Sequence, residues 1–148
     1  MIRAFIAVDL PAAVRQEVGS LQSELRTSGA DIKWVGVENL HLTLKFLGDI
    51  EENQVQTLTE ALHPIMGTTA LFALQLEGVG AFPKMTSPRV LWVGVTDGQQ
   101  ETVRLAQTVE QTCTQLGFPS EDKPFSPHLT IGRVRSLRQV GSLIKRLE

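Results

Sequence analysis

The sequence predicts an α+β fold: two similar lobes with pseudo-twofold symmetry, each an antiparallel sheet backed by helices, and an active site in the central cleft. Two observations predict it. Short stretches with period-two apolar alternation are interspersed with longer ones whose apolar residues recur every three or four positions, the signatures of strands and amphipathic helices. In addition, His41-Leu42-Thr43-Leu44 returns as His128-Leu129-Thr130-Ile131 within a matching succession of elements. A strand from Ala4, a helix, a loop, the first tetrapeptide and a helix correspond to a strand from Val90, a helix, a loop, the second tetrapeptide and a helix. The two spacings from strand to tetrapeptide differ by a single residue. A sheet must cover one face, so each repeat needs its helices.

Arg3 to Asp9 alternates and is rich in β-formers, a strand. Pro11 suits the first turn of a helix, and Val14, Val18, Leu21 and Leu25 form one apolar stripe that Gly29 ends. Ile32 to Val37 reads as a short strand, and His41 to Leu47 as the first motif strand, closed by Gly48. Asp49 and Glu52 have capping-box spacing. The helix they open turns Val55, Leu58 and Leu62 inward, and Pro64 limits it. Gly67-Thr68-Thr69 reads as a linker, which sets lobes of roughly 1–66 and 70–148 within one domain spanning 1–148. Phe72 to Leu76 alternates as a strand. Gly78, Gly80 and Pro83 to Pro88 read as an irregular connection, and Val90 to Thr96 as an apolar strand. Val103, Ala106, Val109, Cys113 and Leu116 stripe a helix that stops at Gly117. Ser120 to Pro127 is a loop, and the second motif strand runs from His128 to about Val134. Ser136 and Gln139 repeat the capping-box spacing before a last helix that buries Val140, Leu143, Ile144 and Leu147.

The chain of 148 residues, 42% hydrophobic and 20% charged, has the composition of a soluble globular domain. No apolar run approaches membrane-spanning length, and no basic region followed by a long apolar stretch opens the chain. Cys113 is the single cysteine, which fits a reducing, cytoplasmic setting. A formal charge of −2 argues against a protein that grips a long duplex through its phosphates. A nucleic-acid end or small fragment suits it better.

Alternation places the His and Thr of each tetrapeptide on one strand face and the two apolar residues on the other. Two such strands bring two imidazoles and two hydroxyls to one pocket. Imidazole titrates near neutrality, so one ring can take a proton from a nucleophile while the other gives one to a leaving group. The hydroxyls of Thr43 and Thr130 can donate to oxygens on which charge develops. In-line displacement at phosphorus needs these parts on opposite sides of the phosphorus atom. Acyl transfer fits less well, since no nucleophile is marked out. A metal site fits poorly, because no Cys or carboxylate cluster accompanies the two His.

Trp34-Val35, Glu38-Asn39-Leu40-His41-Leu42-Thr43-Leu44-Lys45-Phe46-Leu47-Gly48 and Phe125-Ser126-Pro127-His128-Leu129-Thr130-Ile131-Gly132-Arg133 resemble the two signatures of the two-histidine phosphoesterases. Among these they are most similar to the RNA 2′,3′-cyclic phosphodiesterases, once named 2′-5′ RNA ligases. The resemblance covers nearly the whole chain. Family members continue past the last helix with further strands, whereas this chain stops at Glu148, so a C-terminus truncated relative to the family is expected. The resemblance implies hydrolysis of a 2′,3′-cyclic phosphate on RNA ends or nucleotides to a 2′-phosphomonoester, without metal or other cofactor, by a monomer. It assigns His41 as proton donor, His128 as proton acceptor, and Thr43 and Thr130 to the phosphate oxygens. The near-symmetry of the motifs leaves donor and acceptor open in the sequence itself. The same chemistry run toward 2′-5′ ligation, and a module that binds RNA ends or nucleotides without turnover, are the alternatives.

Lys45 and Arg133 are candidate phosphate ligands. By strict alternation Lys45 shares the face of His41, whereas Arg133 needs a bulge to reach the face of His128. Phe5, Trp34 and Phe125 are candidate base-stacking rings. Packing is the simpler role for each. His63, without a Thr partner, reads as a surface residue.

Overall fold

The computed structural model of the chain describes residues 1–70, 72–84, 86–121 and 125–147, with the side chains of the last helix described through Lys145. In chain order the elements are β1 (Ile2–Asp9), α1 (Ala12–Arg26), β2 (Ile32–Trp34), a 3-10 turn (Val37–Asn39), β3 (His41–Ile50), α2 (Glu52–Thr68), β4 (Leu76–Lys84), β5 (Ser87–Val95), α3 (Gln99–Gln115), β6 (His128–Val134) and α4 (Val140–Leu147). The expected α+β class, with antiparallel strands and covering helices, is what forms.

Two compact units make up the chain, and neither is a consecutive stretch. One consists of residues 1–8, 43–75 and 96–127, the other of 9–42, 76–95 and 128–148. Each unit therefore draws on three segments, instead of the lobes expected at 1–66 and 70–148. In the first unit β1 and β3 form a two-stranded sheet, and Leu44, Ile50 and Leu58 pack with Ala106, Val109 and Cys113 of α3. In the second, a four-stranded sheet has the order β2-β6-β5-β4 with every neighbouring pair antiparallel. Its covered face packs Ile32, Ala81, Leu91, Val93, Leu129 and Ile131 against Val18 and Leu25 of α1 and Leu143 of α4.

Several local expectations are corrected. The strand β3 continues to Ile50 because Gly48 takes φ +74, a left-handed conformation that glycine adopts without penalty, inside the strand. The helix α2 is opened by Glu51 and Gln54, not Asp49 and Glu52: the Gln54 side chain accepts the Glu51 N–H at 2.7 Å. It runs past Pro64 to Thr68, its last turn held by the Thr69 N–H on the Ile65 carbonyl and the Thr68 hydroxyl on the Pro64 carbonyl, each at 3.0 Å. The expected linker is thus helical through Thr68. Residues 72–75 are not a strand; Gln75 instead hooks the chain by exchanging backbone hydrogen bonds with Asp97 and Thr96 at 3.0 and 2.9 Å. The stretch read as irregular is the β4–β5 pairing, in which Gly80 leaves room for the Trp92 indole directly across. Ser136 donates to Asp31 at 2.9 Å instead of building the capping box, and α4 begins after Gln139. Val55 and Leu116 are exposed, not inward. Val140 and Leu143 are buried as expected, and Leu147 lies outside the described side chains.

One irregularity governs the second unit. From Gly94↔His128 through Trp92↔Thr130 the pairing of β5 with β6 is regular, and it then shifts to Leu91↔Gly132 and Val90↔Arg133. Ile131 is the extra residue, a β-bulge. Its carbonyl accepts the Val35 N–H at 3.0 Å and the Gln22 Nε2 at 2.9 Å, and the same Gln22 amide donates to the Val35 carbonyl at 2.9 Å. Gln22 is 3% exposed, on a helix whose other inward residues are apolar. Replacing it by Leu preserves bulk and leaves the carbonyls short of donors. The expected loss is about 1–3 kcal/mol of stability, read from the midpoint of urea unfolding; an unchanged midpoint would show that the amide is dispensable.

Candidate active site

Both motif strands obey the alternation. Leu42 and Leu44 are 0% and 8% exposed, Leu129 and Ile131 are both 0%, and His41, Thr43, His128 and Thr130 between them are half-buried. The apolar pairs anchor each strand in a core, which fixes the direction of the polar pairs. His41, His128 and Thr130 belong to the second unit; the boundary between units falls after Leu42, so Thr43 belongs to the first. Threonines in the helices commit their hydroxyls to carbonyls four residues back, as Thr57, Thr59 and Thr108 do. Among the described residues, the hydroxyls of Thr43 and Thr130 take no such partner.

The His128 imidazole sits in an aromatic corner. Phe82 meets it at 5.1 Å between centroids and 84° between planes, an edge-to-face contact, and Trp92 lies 6.4 Å away. Phe82 and Trp92 are themselves 5.3 Å apart. The register explains the cluster. Trp92 is opposite Thr130 and Gly80, and Phe82 is opposite Val90, so all of these side chains share the face of His128. Sequence reasoning missed Phe82 because it lies in the stretch read as irregular. The Gly80-Ala81-Phe82 alternation across from Leu91-Trp92 was the available signal. A side chain at Gly80 would run into the Trp92 indole, so the indole's place against this face depends on that glycine.

The profile of the family described as LigT like Phosphoesterase matches residues 8–92 and 93–148. The chain belongs to the LigT-like phosphoesterases. It is 42% identical over 134 residues to an Archaeoglobus fulgidus protein named RNA 2′,3′-cyclic phosphodiesterase, a match covering 90% of this chain and 73% of that relative. A crystal structure of a Thermus thermophilus protein aligns with a TM-score of 0.77 at 31% identity, over 91% of this chain and 75% of the other. Escherichia coli LigT complexed with 3′-AMP aligns with a TM-score of 0.74 at 26% identity, over 88% and 72%.

In this LigT-like chain the secondary candidates divide. The bulge at Ile131 turns Arg133 onto the face of His128, because Arg133 pairs with Val90, and Val90, Trp92 and Gly94 alternate on that face. Arg133 is exposed there. Lys45 does not serve as expected. Its side chain is 3% exposed, and its ammonium donates to Glu110 at 2.8 Å and to the Pro119 carbonyl at 3.0 Å. Residues 118–121 cover it, so strand parity alone misplaced it. Phe125 is half-buried and packs against the core of the first unit. Phe5 is 46% exposed, on the strand face opposite Ala4, Ile6 and Val8, which pack inward. Trp34 packs against the core of the second unit and carries Arg26 at 5.9 Å over its ring. His63 is exposed on α2. Among the described residues no three His, Cys, Asp or Glu side chains gather as a metal-ligand group, and no helix is long and apolar enough to cross a membrane.

Burial raises the Glu110 carboxyl, but the hydrogen bonds from Lys45 and from the Glu121 N–H, with the Lys45 charge, outweigh it and hold the pKa below the ordinary value. A lowered folded-state pKa stabilises above the unfolded-state value, and that contribution is lost as pH falls through the folded value. Lys45→Met is therefore expected to cost about 1–3 kcal/mol, less than a fully buried pair because Glu110 is 28% exposed. The loss should be present at neutral pH and shrink in acid. Denaturant titrations at neutral and acid pH, with turnover per folded molecule, check this. A collapse of turnover at unchanged stability would return Lys45 to the substrate.

Proposed function

We propose that this chain hydrolyses 2′,3′-cyclic phosphates at RNA ends to 2′-phosphomonoesters, using His41 and His128 as general acid and base and no metal. The observation that carries the reading is the paired burial pattern: two His-x-Thr strands anchored by core residues, with both Thr hydroxyls uncommitted among the described residues. The name of the Archaeoglobus relative, RNA 2′,3′-cyclic phosphodiesterase, supports the same reaction.

In the proposed reaction His128 takes a proton from water as the oxygen attacks phosphorus. The bond from phosphorus to the 3′ oxygen breaks, and His41 delivers a proton to that oxygen. The leaving oxygen remains on the ribose, and the phosphate stays on the 2′ position. Thr43 and Thr130 donate to the non-bridging oxygens, where charge accumulates in the transition state. The edge-to-face Phe82 contact restricts the His128 ring, so orientation is set before substrate arrives.

The test is product identification with a 2′,3′-cyclic nucleotide after EDTA treatment. A 2′-phosphomonoester is expected, at an undiminished rate. His41→Ala and His128→Ala should each lower kcat/KM by roughly 10²–10⁴-fold, and the double variant far less than the product of the two. Near-normal turnover in either single variant, or activity restored only by added Zn²⁺ or Mn²⁺, would remove the two-histidine mechanism.

A further inference from the structure

A proton donor and a proton acceptor in one displacement must stand at a fixed spacing, and the residues placed to set it lie outside both motifs, on α1. The Gln22 amide donates at 2.9 Å to the carbonyls of both Val35 and Ile131, and the Val35 N–H donates to the Ile131 carbonyl at 3.0 Å. Ile131 stands three residues after His128, and Val35 six residues before His41. This node therefore joins the segment that leads into one histidine to the strand that carries the other. Gln22, Val35, His41, His128 and Ile131 all belong to the second unit.

The path from Val35 to His41 has little slack. Its 3-10 turn, Val37–Asn39, is closed by the Asn39 N–H on the Gly36 carbonyl at 2.8 Å and the Leu40 N–H on the Val37 carbonyl at 3.3 Å, and Leu40 is 1% exposed. Gly19, three residues before Gln22 and so on the same face of α1, lies against this turn. A Cβ at Gly19 would stand 3.1 Å from the Val37 Cγ2. Glycine is a poor residue for the middle of a helix, and the close approach of the turn accounts for its presence. The two histidines are not held equally. His128 is also fixed from the far side of β6, by its pairing with Gly94 on β5 and by the Phe82 edge at 5.1 Å. On the approach to His41, β2 pairs only with β6 among the described residues, over Ile32 to Trp34, and Val35 follows the last pair. A displacement at the node thus moves His41 more than His128.

We propose that Gln22 and Gly19 are positioning residues that set His41 against His128, so that the first helix governs proton delivery to the leaving oxygen. This rests on the phosphodiesterase reading with His41 as the acid. The test compares kcat for a 2′,3′-cyclic nucleotide with kcat for the analogue in which sulfur replaces the 3′ oxygen. In the analogue the bond from phosphorus to sulfur breaks, and the sulfur leaves as a thiolate that needs no proton from His41. His128 still takes the proton from the attacking water. The ratio of the two rates does not depend on the fraction of protein folded. Gln22→Leu should lower kcat roughly tenfold for the oxygen substrate and by less than about twofold for the sulfur analogue, with KM little changed. Gly19→Ala should lower the oxygen rate roughly threefold in the same selective way, with Tm unchanged or raised, and adding Val37→Ala should restore it. Equal losses on both substrates, or no loss in either variant, overturns the proposal and leaves the node a role in stability alone. If Gln22→Leu does not fold, the Gly19 and Val37 variants decide by the same ratio. If the unaltered protein hydrolyses neither substrate, the phosphodiesterase reading falls by itself, and imidazole NMR then decides the positioning. His41 resonances displaced in Gln22→Leu, with those of the exposed His63 unmoved, sustain it; unmoved His41 resonances overturn it.

Discussion

The sheet face of the second unit that carries His128 depends on a two-pronged hydrogen bond. Gln22 gives one amide group to two carbonyls, those of Val35 and Ile131, and so stabilises the extra residue in β6. A bulge breaks the ladder and leaves backbone groups in need of partners, at a cost comparable to a lost hydrogen bond for each buried group. The buried amide supplies the missing donor. The strand changes parity at that point: His128 and Thr130 before the bulge, and Arg133 after it, stand on one side, while Leu129, Ile131 and Gly132 go to the other. A regular strand of this sequence would present the histidine and the arginine on opposite faces.

The first unit resolves a comparable tension differently. Strand parity would turn the Lys45 ammonium to the face of His41, yet the chain at 118–121 closes over it. A buried cation without a partner would be costly, and Glu110 with the Pro119 carbonyl supplies the compensation. The same enclosure places Cys113, 0% exposed, among apolar neighbours; burial pushes its thiol pKa up, with Lys45 opposing and Glu110 assisting. That is the setting of an inert core thiol.

Where the sequence was legible, a period was at work. The strand β6 begins at His128 and ends at Val134 as expected, the α1 stripe packs on its core, and α3 buries Ala106, Val109 and Cys113 of its stripe but leaves Val103 half-buried and Leu116 exposed. The facing of His41, Thr43, His128 and Thr130 could be read because their neighbours Leu42, Leu44, Leu129 and Ile131 are unambiguous core residues. Legibility failed where a non-local partner overruled a local signal. Gln22 looks like a surface residue of an amphipathic helix until Val35 and Ile131 are brought beside it. Pro64 looks like a helix stop until the hydroxyls of Thr68 and Thr69 hold the turn after it. Gly80 and Pro83 look like a loop until Trp92 is seen to need the missing side chain.

The assignment of elements to units crosses the repeat. β1 belongs to the first unit and the helix after it to the second; β5 belongs to the second and the helix after it to the first. Each repeat thus lends its first helix to the unit that holds the other repeat's first strand. Neither unit can be excised as a continuous fragment, and a break between the repeats leaves both cores short of a helix. A chain wired in this way has to bring sequence-distant segments together before either core closes. Such topologies fold slowly for their size because loop-closure entropy is lost before the rewarding contacts form. They also suppress partial unfolding: α1 cannot leave without uncovering the sheet that carries His128, nor α3 without opening the core beneath Thr43. Each unit keeps a part that the other repeat supplied, so the polypeptide should gain and lose its structure as one body.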